Sequence, residues 1–153
     1  MTLSEMSVAQ ARMESIKAGV LGAGAIACVA LLLQLCVLWL PADIQAALAQ
    51  ALVGPRVDLF ARLLNIGVAV ASGFFFGVTY RYIVRQDDNL HLGGGAVGAF
   101  ALVRSLARIE ATWDGTFALS TWLMVTGVSF LWFVVARYVL DWAIAKRAIS
   151  TIN

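Results

Sequence analysis

The chain reads LGAGAIACVALL over Leu21–Leu32 and LGGGAVGAFALV over Leu92–Val103. Both stretches are rich in small apolar residues and lie inside longer apolar runs, which is typical of membrane-spanning helices. A second pair repeats further on: FFFGVTYRYIV covers Phe74–Val84 and FLWFVVARYVL covers Phe130–Leu140. Repeats in this order predict two helical hairpins related by duplication, and chance similarity between apolar segments is the alternative.

The composition indicates a membrane protein. Of the 153 residues, 61% are hydrophobic and 13% are charged, and the mean hydropathy is +0.87. A soluble domain is about half apolar and about a quarter charged. The net charge of +2 is too small to indicate nucleic acid as a partner. Because the basic residues lie near the predicted helix ends, we expect the lipid bilayer and its phosphate headgroups as partners.

We therefore predict an all-α membrane protein with four transmembrane helices arranged as two hairpins. The expected spans are about 18–40, 59–84, 90–109 and 116–140. Residues 1–17 are expected to form an amphipathic segment on the cytoplasmic surface, and residues 141–153 a basic cytoplasmic tail. The third span contains Arg104 and Arg108, so a re-entrant segment is the alternative for that stretch.

The loop between the first two spans has its own helical pattern. Its apolar residues fall on one face of a helix that is too short and too polar to cross the membrane. These residues are Ile44, Ala47, Leu48, Ala51 and Leu52. The pattern predicts a short interfacial helix.

The distribution of Lys and Arg predicts the orientation. With four spans, seven basic residues lie at the end that holds both termini, and four lie at the other end. The residues of the first group are Arg12, Lys17, Arg81, Arg85, Arg137, Lys146 and Arg147; those of the second are Arg56, Arg62, Arg104 and Arg108. Positively charged ends favour the cytoplasm, so both termini are expected there.

Small residues recur at helical spacing in three spans. They are Gly19, Ala23 and Ala27, then Ala69, Gly73 and Gly77, then Gly94 and Gly98. Small side chains let two helix backbones approach closely in lipid. Such stripes either pack the protein's own bundle or dock a partner membrane protein or a second copy of the chain.

Arg104 and Arg108 are one helical turn apart, and Glu110 and Asp114 follow them. A basic pair within a span could bind an anion or a lipid headgroup, or line a pore. The alternative is a pair that snorkels to the interface and bonds Glu110 or a lipid phosphate.

Residues for other chemistry are scarce. His91 is the only histidine; it could ligate a haem or chlorophyll metal through a ring nitrogen, but the sequence indicates no second axial ligand beside it. Cys28 and Cys36 lie about 12 Å apart along one predicted helix and cannot bridge there. Because this single histidine is expected to face the interface, no Ser-His-Asp or Cys-His arrangement is available. We therefore expect no metal site, no cofactor and no enzymatic activity.

The stretch YRYIVRQDDNLHLGGGAVGAFALVRSLARIE, Tyr80–Glu110, resembles an uncharacterised family of small multi-span proteins in cyanobacteria and plant plastids. The resemblance implies a thylakoid or other photosynthetic membrane and carries no known activity.

Two functions are compatible with this pattern. The first is a non-catalytic accessory or assembly protein that binds a larger, photosynthetic membrane complex through its glycine-rich helix faces. The second is a small anion channel or transporter that uses Arg104 and Arg108. Because few polar residues fall at mid-membrane, the first is the leading hypothesis.

Overall fold

The computed structural model of the chain describes residues 8–45, 59–84, 90–112 and 119–149. Four long helices make up most of these ranges: α1 (Val8–Val37), α2 (Leu59–Ile83), α3 (Leu90–Thr112) and α4 (Leu119–Ala145). All four contain a stretch long and apolar enough to cross a membrane. The prediction of an all-α membrane protein with four spans is confirmed.

The first helix differs from the expected division into a surface segment and a span. Residues 8–17 continue directly into the span as part of α1. No Pro or Gly separates the two parts, so nothing in the sequence ends the helix before Ala18. Ser15 is buried against α2, which anchors this first part of α1 in the bundle.

The fourth helix also extends beyond its expected end. α4 continues past Leu140 to Ala145, and Arg147 follows it with a φ of 56°. The Ala148 N–H donates to the Ala143 carbonyl and the Arg147 N–H donates to the Ile144 carbonyl, both at 2.9 Å. This pair of bonds is a Schellman motif, which turns the chain so that Ile149 is buried.

The loop after α1 contains the start of another helix. Residues 42–45 are helical, and the Gln45 side chain donates to the carbonyls of Leu38 and Leu40. The remainder of the expected interfacial helix lies outside the described residues.

The helices pair as two antiparallel hairpins. α1 packs most extensively on α2, α3 packs on α4, and α1 also contacts α4. The buried core lies where the four helices meet, and Ile26, Phe76, Ala101 and Phe133 have no measurable exposure there.

Burial follows the two sequence repeats. Gly22, Ala25 and Ile26 are buried in α1, and so are the residues that match them in α3, which are Gly93, Ala96 and Val97. Likewise Phe76, Gly77 and Tyr80 in α2 match buried Trp132, Phe133 and Ala136 in α4. The repeated stretches therefore present equivalent faces to the core.

Candidate anion site

Two arginines on α3 lie at the centre of the candidate site. Arg104 and Arg108 are one turn apart and therefore share one face of the helix. Only 7% of Arg104 is exposed, and Arg108 is partly buried. Arg104 precedes Ala111, where the apolar span ends, by about 10 Å of helix axis. A positive charge is thus held within the span and inside the bundle.

Asn65 on α2 connects the two arginines. Its side-chain oxygen accepts a hydrogen bond from Arg108 Nη1 at 3.1 Å and a longer one from Arg104 Nη2 at 3.5 Å. A single neutral oxygen is therefore shared by two cations.

Trp132 on α4 completes the surroundings of Arg104. The guanidinium carbon lies 4.7 Å from the centroid of the indole ring, within range for a cation–π interaction. Trp132 itself is 8% exposed. Its Nε1–H is buried and finds no hydrogen-bond acceptor within the described ranges.

The charge of Arg104 is not balanced by a carboxylate in the part of the chain that the structure describes. A guanidinium has five N–H donors, and Asn65 accepts from one of them. The ion pairs seen in the same ranges, Lys17–Glu14 and Arg137–Asp141, lie elsewhere. Burying a charge without a counter-ion is costly, so this position favours a ligand of opposite charge.

An open cleft of about 460 Å³ adjoins these residues. Its walls come from α1 and α2, and Trp132 of α4 also lines it. The lining residues are Ala27, Ala30, Leu31, Leu33, Gln34, Asn65, Ile66, Ala69, Val70 and Trp132. Polar groups come only from Gln34, Asn65 and Trp132, so most of the wall is aliphatic. Asn65 and Trp132 join the cleft to Arg104.

The position of Arg104 differs from a snorkelling residue paired with Glu110. Its side chain points to Asn65 and Trp132 inside the bundle, while Glu110 is exposed. Asp114 lies outside the described residues. The physical reason for the inward position is that α2 and α4 supply a polar oxygen and an aromatic face at the level of Arg104.

A second polar cluster lies at the opposite end of the bundle. The Tyr80 hydroxyl donates to Asp141 Oδ1 at 2.6 Å, and Arg137 Nε lies 3.5 Å from Asp141 Oδ2. A Cβ on Gly93 would lie 2.9 Å from the Tyr80 hydroxyl oxygen, so a larger residue there would displace the Tyr80 or Arg137 side chain. The cluster connects α2, α3 and α4.

Arg81 attaches the same end of α2 to α1. Its Nη1 donates to the Ala11 carbonyl at 2.9 Å and to Ser15 Oγ at 2.7 Å, and the residue is 1% exposed. Sequence reasoning used Arg81 and Arg137 only to predict the orientation and missed that both turn inward. Their matching positions in the repeats were the available signal, because the buried faces also match.

An aromatic layer separates the two polar ends. The ring centroids of Phe76, Phe100 and Phe133 lie 5.2 to 5.7 Å apart, and Phe76 also contacts Tyr80. Phe76 and Phe133 are fully buried. The middle of the bundle is therefore apolar and closely packed.

The predicted small-residue stripes of α1 and α2 meet. A Cβ on Gly73 would lie 2.8 Å from the Gly22 carbonyl oxygen and 3.1 Å from the Ala23 Cα, and one on Gly77 would overlap the Ala18 carbonyl. A Cβ on Gly19 would lie 2.6 Å from the Phe74 ring. Gly22, which sequence reasoning did not select, lies opposite both glycines of α2.

The stripe on α3 has different surroundings. Among the described residues, a Cβ on Gly95 or Gly98 would meet nothing within 4 Å, and one on Gly94 would meet only Arg137 at 3.8 Å. Gly94 and Gly98 therefore take no part in close helix packing within that part of the chain. They leave a face of α3 with small side chains open.

The described residues hold no group of three or more His, Cys, Asp or Glu side chains that could bind a metal ion. His91 is exposed at the start of α3. Cys28 and Cys36 are both exposed on α1, and neither is in a disulfide.

Comparison with known proteins gave no relationship to guide the assignment. No family model, no curated protein and no solved structure matches the chain. The two polar ends, the aromatic layer and the cleft are therefore the features that indicate function.

Proposed function

We propose that this protein is a non-catalytic membrane protein that holds an anionic group, such as a phosphate or carboxylate, at Arg104 and Arg108. The observation that carries the proposal is the burial of Arg104 beside an open cleft, without a carboxylate partner in the described ranges. An arginine inside a span is by default a candidate for a ligand or ion site.

The donors at this end suit an oxyanion. Two guanidinium groups on one helix face offer planar forks that match the oxygen atoms of a phosphate or carboxylate. The side-chain oxygen of Asn65 accepts a hydrogen bond from each guanidinium group. The Trp132 N–H is a further donor, and it has no acceptor among the described residues. An anion would supply acceptors for further donors of Arg104 and for the Trp132 N–H.

The aromatic layer favours holding an anion over conducting it. An ion that passed from Arg104 to Arg81 or Arg137 would have to cross the layer formed by Phe76, Phe100 and Phe133. Transfer of an unpaired charge through such a layer is strongly unfavourable. We therefore expect liposomes that contain the protein to show no chloride, sulfate or phosphate flux above that of empty liposomes. Substantial flux that Arg104→Lys abolishes would make the channel the better assignment.

Anion binding is tested with the full chain in nanodiscs of phosphatidylcholine. Radiolabelled phosphate should bind saturably, and Arg104→Gln or Arg108→Gln should weaken the binding by about tenfold or more. Arg12→Gln is the matched control because Arg12 is exposed on α1, far from the site. Circular dichroism checks that each variant is folded. Equal binding by a folded Arg108→Gln variant and the wild type would refute the proposal.

The open face of α3 supports a second role, as an accessory protein that associates with another membrane helix. Small residues at Gly95 and Gly98 with no neighbour within 4 Å leave room for a close backbone approach. Gly98→Leu should then weaken an association seen in mild detergent, whereas Gly67→Leu, at an open position on α2, should not. Equal association in both variants would exclude this face as the contact.

For the location, we propose a thylakoid or plasma membrane with both termini in the cytoplasm. The resemblance of residues 80–110 supports the photosynthetic membrane. The excess of Lys and Arg at the end that contains the start of α1 and the end of α4 supports the orientation.

A further inference from the structure

We infer that the anionic group bound at Arg104 and Arg108 is the head of an amphiphile whose apolar tail lies in the cleft between α1 and α2. This inference rests on the proposed function, because the same arginines bind the head. It adds the class of ligand: an anionic lipid or another single molecule with an acidic head and a hydrocarbon tail.

The cleft has the two-part chemistry that such a ligand needs. Gln34 and Asn65 lie toward the end of the bundle that holds Arg108, and Asn65 bonds both arginines. The aliphatic part of the wall continues along α1 and α2 toward Ala27 and Val70, deeper in the spans. A head at the arginines therefore places a tail along the apolar wall.

The volume of the cleft also fits an amphiphile better than a bare ion. At about 460 Å³ it lies within the range of about 300–1,000 Å³ that is typical of small-molecule pockets. A hydrated ion would gain little from aliphatic walls, since water would have to be left against them or removed from the ion. A hydrocarbon tail covers those walls without either cost.

Access from the membrane is open. Leu31 is 62% exposed and Ile66 is 55% exposed, and both line the cleft. Exposed side chains on the outer faces of membrane spans meet lipid, so the cleft opens sideways into the hydrocarbon. A lipid-like ligand can enter by that route with its tail in the bilayer throughout.

The test compares two radiolabelled probes on the full chain in phosphatidylcholine nanodiscs, with empty nanodiscs subtracted. Inorganic phosphate reports on the head site alone, and dodecyl phosphate reports on the head and tail together. We expect dodecyl phosphate to bind at least about tenfold more tightly than phosphate. Unlabelled dodecanol, which has the tail without the charge, should not displace it at equal concentration.

Phenylalanine substitutions at two alanines distinguish binding in the cleft from simple enrichment of the probe in the bilayer. Ala27→Phe fills the cleft from an exposed position and should weaken dodecyl phosphate binding by about tenfold, while phosphate binding stays unchanged. Ala99→Phe, at an exposed position outside the cleft, should change neither probe.

The outcomes distinguish the inference from the proposed function. If Ala27→Phe leaves dodecyl phosphate binding unchanged, or dodecanol displaces the probe, the tail does not occupy the cleft and the inference is wrong. If phosphate still binds and depends on Arg108 in that case, the anion site stands without it. If neither probe depends on Arg104 or Arg108, both proposals are wrong.

Discussion

Replacement of Gly77 by leucine tests the closest backbone contact in the bundle. A Cβ at this position would overlap the Ala18 carbonyl oxygen and lie 2.8 Å from the carbonyl carbon and 3.1 Å from the Gly19 Cα. These obstacles are backbone atoms of a long helix, so no side-chain rotation can relieve the contact. α1 and α2 would have to separate.

The loss of stability in Gly77→Leu comes from the dispersion contacts that are weakened when α1 and α2 separate. A gap of 0.5–1 Å forfeits about a quarter to a half of the dispersion energy of each contact across it. Overpacking typically costs about 1–3 kcal/mol, and a rigid backbone contact belongs at the upper end of that range. The gain in helix propensity on replacing glycine is about 1 kcal/mol and acts in the opposite direction.

The matched control is Gly67→Leu on the same helix, because a Cβ there would meet nothing within 4 Å. Both variants gain the same propensity, so their difference isolates the packing cost. We expect the free energy of unfolding of Gly77→Leu to be about 3 kcal/mol lower than that of Gly67→Leu. Equilibrium unfolding in mixed micelles at increasing fractions of sodium dodecyl sulfate measures this difference. Equal stability of the two variants would refute the close α1–α2 packing.

Three further changes test the end of the bundle that holds Tyr80 and Arg81. Tyr80→Phe removes a short hydrogen bond between α2 and α4 and should lower the free energy of unfolding by about 1–2 kcal/mol in the same assay, while Tyr138→Phe, at an exposed position, should have no effect. Arg81→Leu removes two bonds to α1 and should cost about 2–3 kcal/mol, and an unchanged unfolding midpoint would mean that the start of α1 is not held there. Single cysteines at Arg12 and Lys146, in a background without the native cysteines, should react with an impermeant reagent from the same side of the membrane; reaction from opposite sides would leave an odd number of spans.

The sequence patterns predicted the four spans because hydrophobic length is a local property of each segment. Helix ends were harder to predict. Residues 8–17, which were expected to form a separate surface segment, continue into the span as part of α1, and α4 reaches Ala145 before a Schellman motif ends it. The spacing of four residues correctly predicted that Gly73 and Gly77 share one face of α2. The same spacing did not show which of the glycines in LGAGA contacts α2, and in the structure Gly22 makes the backbone contact.

The candidate site was only half accessible to sequence reasoning. The two arginines could be selected from the sequence because charged side chains inside a membrane span are costly and rare. Their direction was not, because it depends on Asn65 and Trp132, which lie on other helices and far away in the chain. The cleft has no sequence signal of its own, since its walls are ordinary aliphatic residues.

The most direct test of the anion site is a distance measurement by solid-state nuclear magnetic resonance. The sample is the full chain in a detergent that contains no phosphorus. Its arginine side chains are labelled with ¹⁵N, and inorganic phosphate is added. The account predicts a ³¹P–¹⁵N dipolar coupling at hydrogen-bond range that weakens in Arg104→Lys and in Arg108→Lys, because each removes one of the two labelled guanidinium groups. The coupling should disappear when both arginines are replaced by lysine and stay unchanged in Arg12→Lys. A coupling that survives the double substitution, or the absence of any coupling at saturating phosphate, would contradict it.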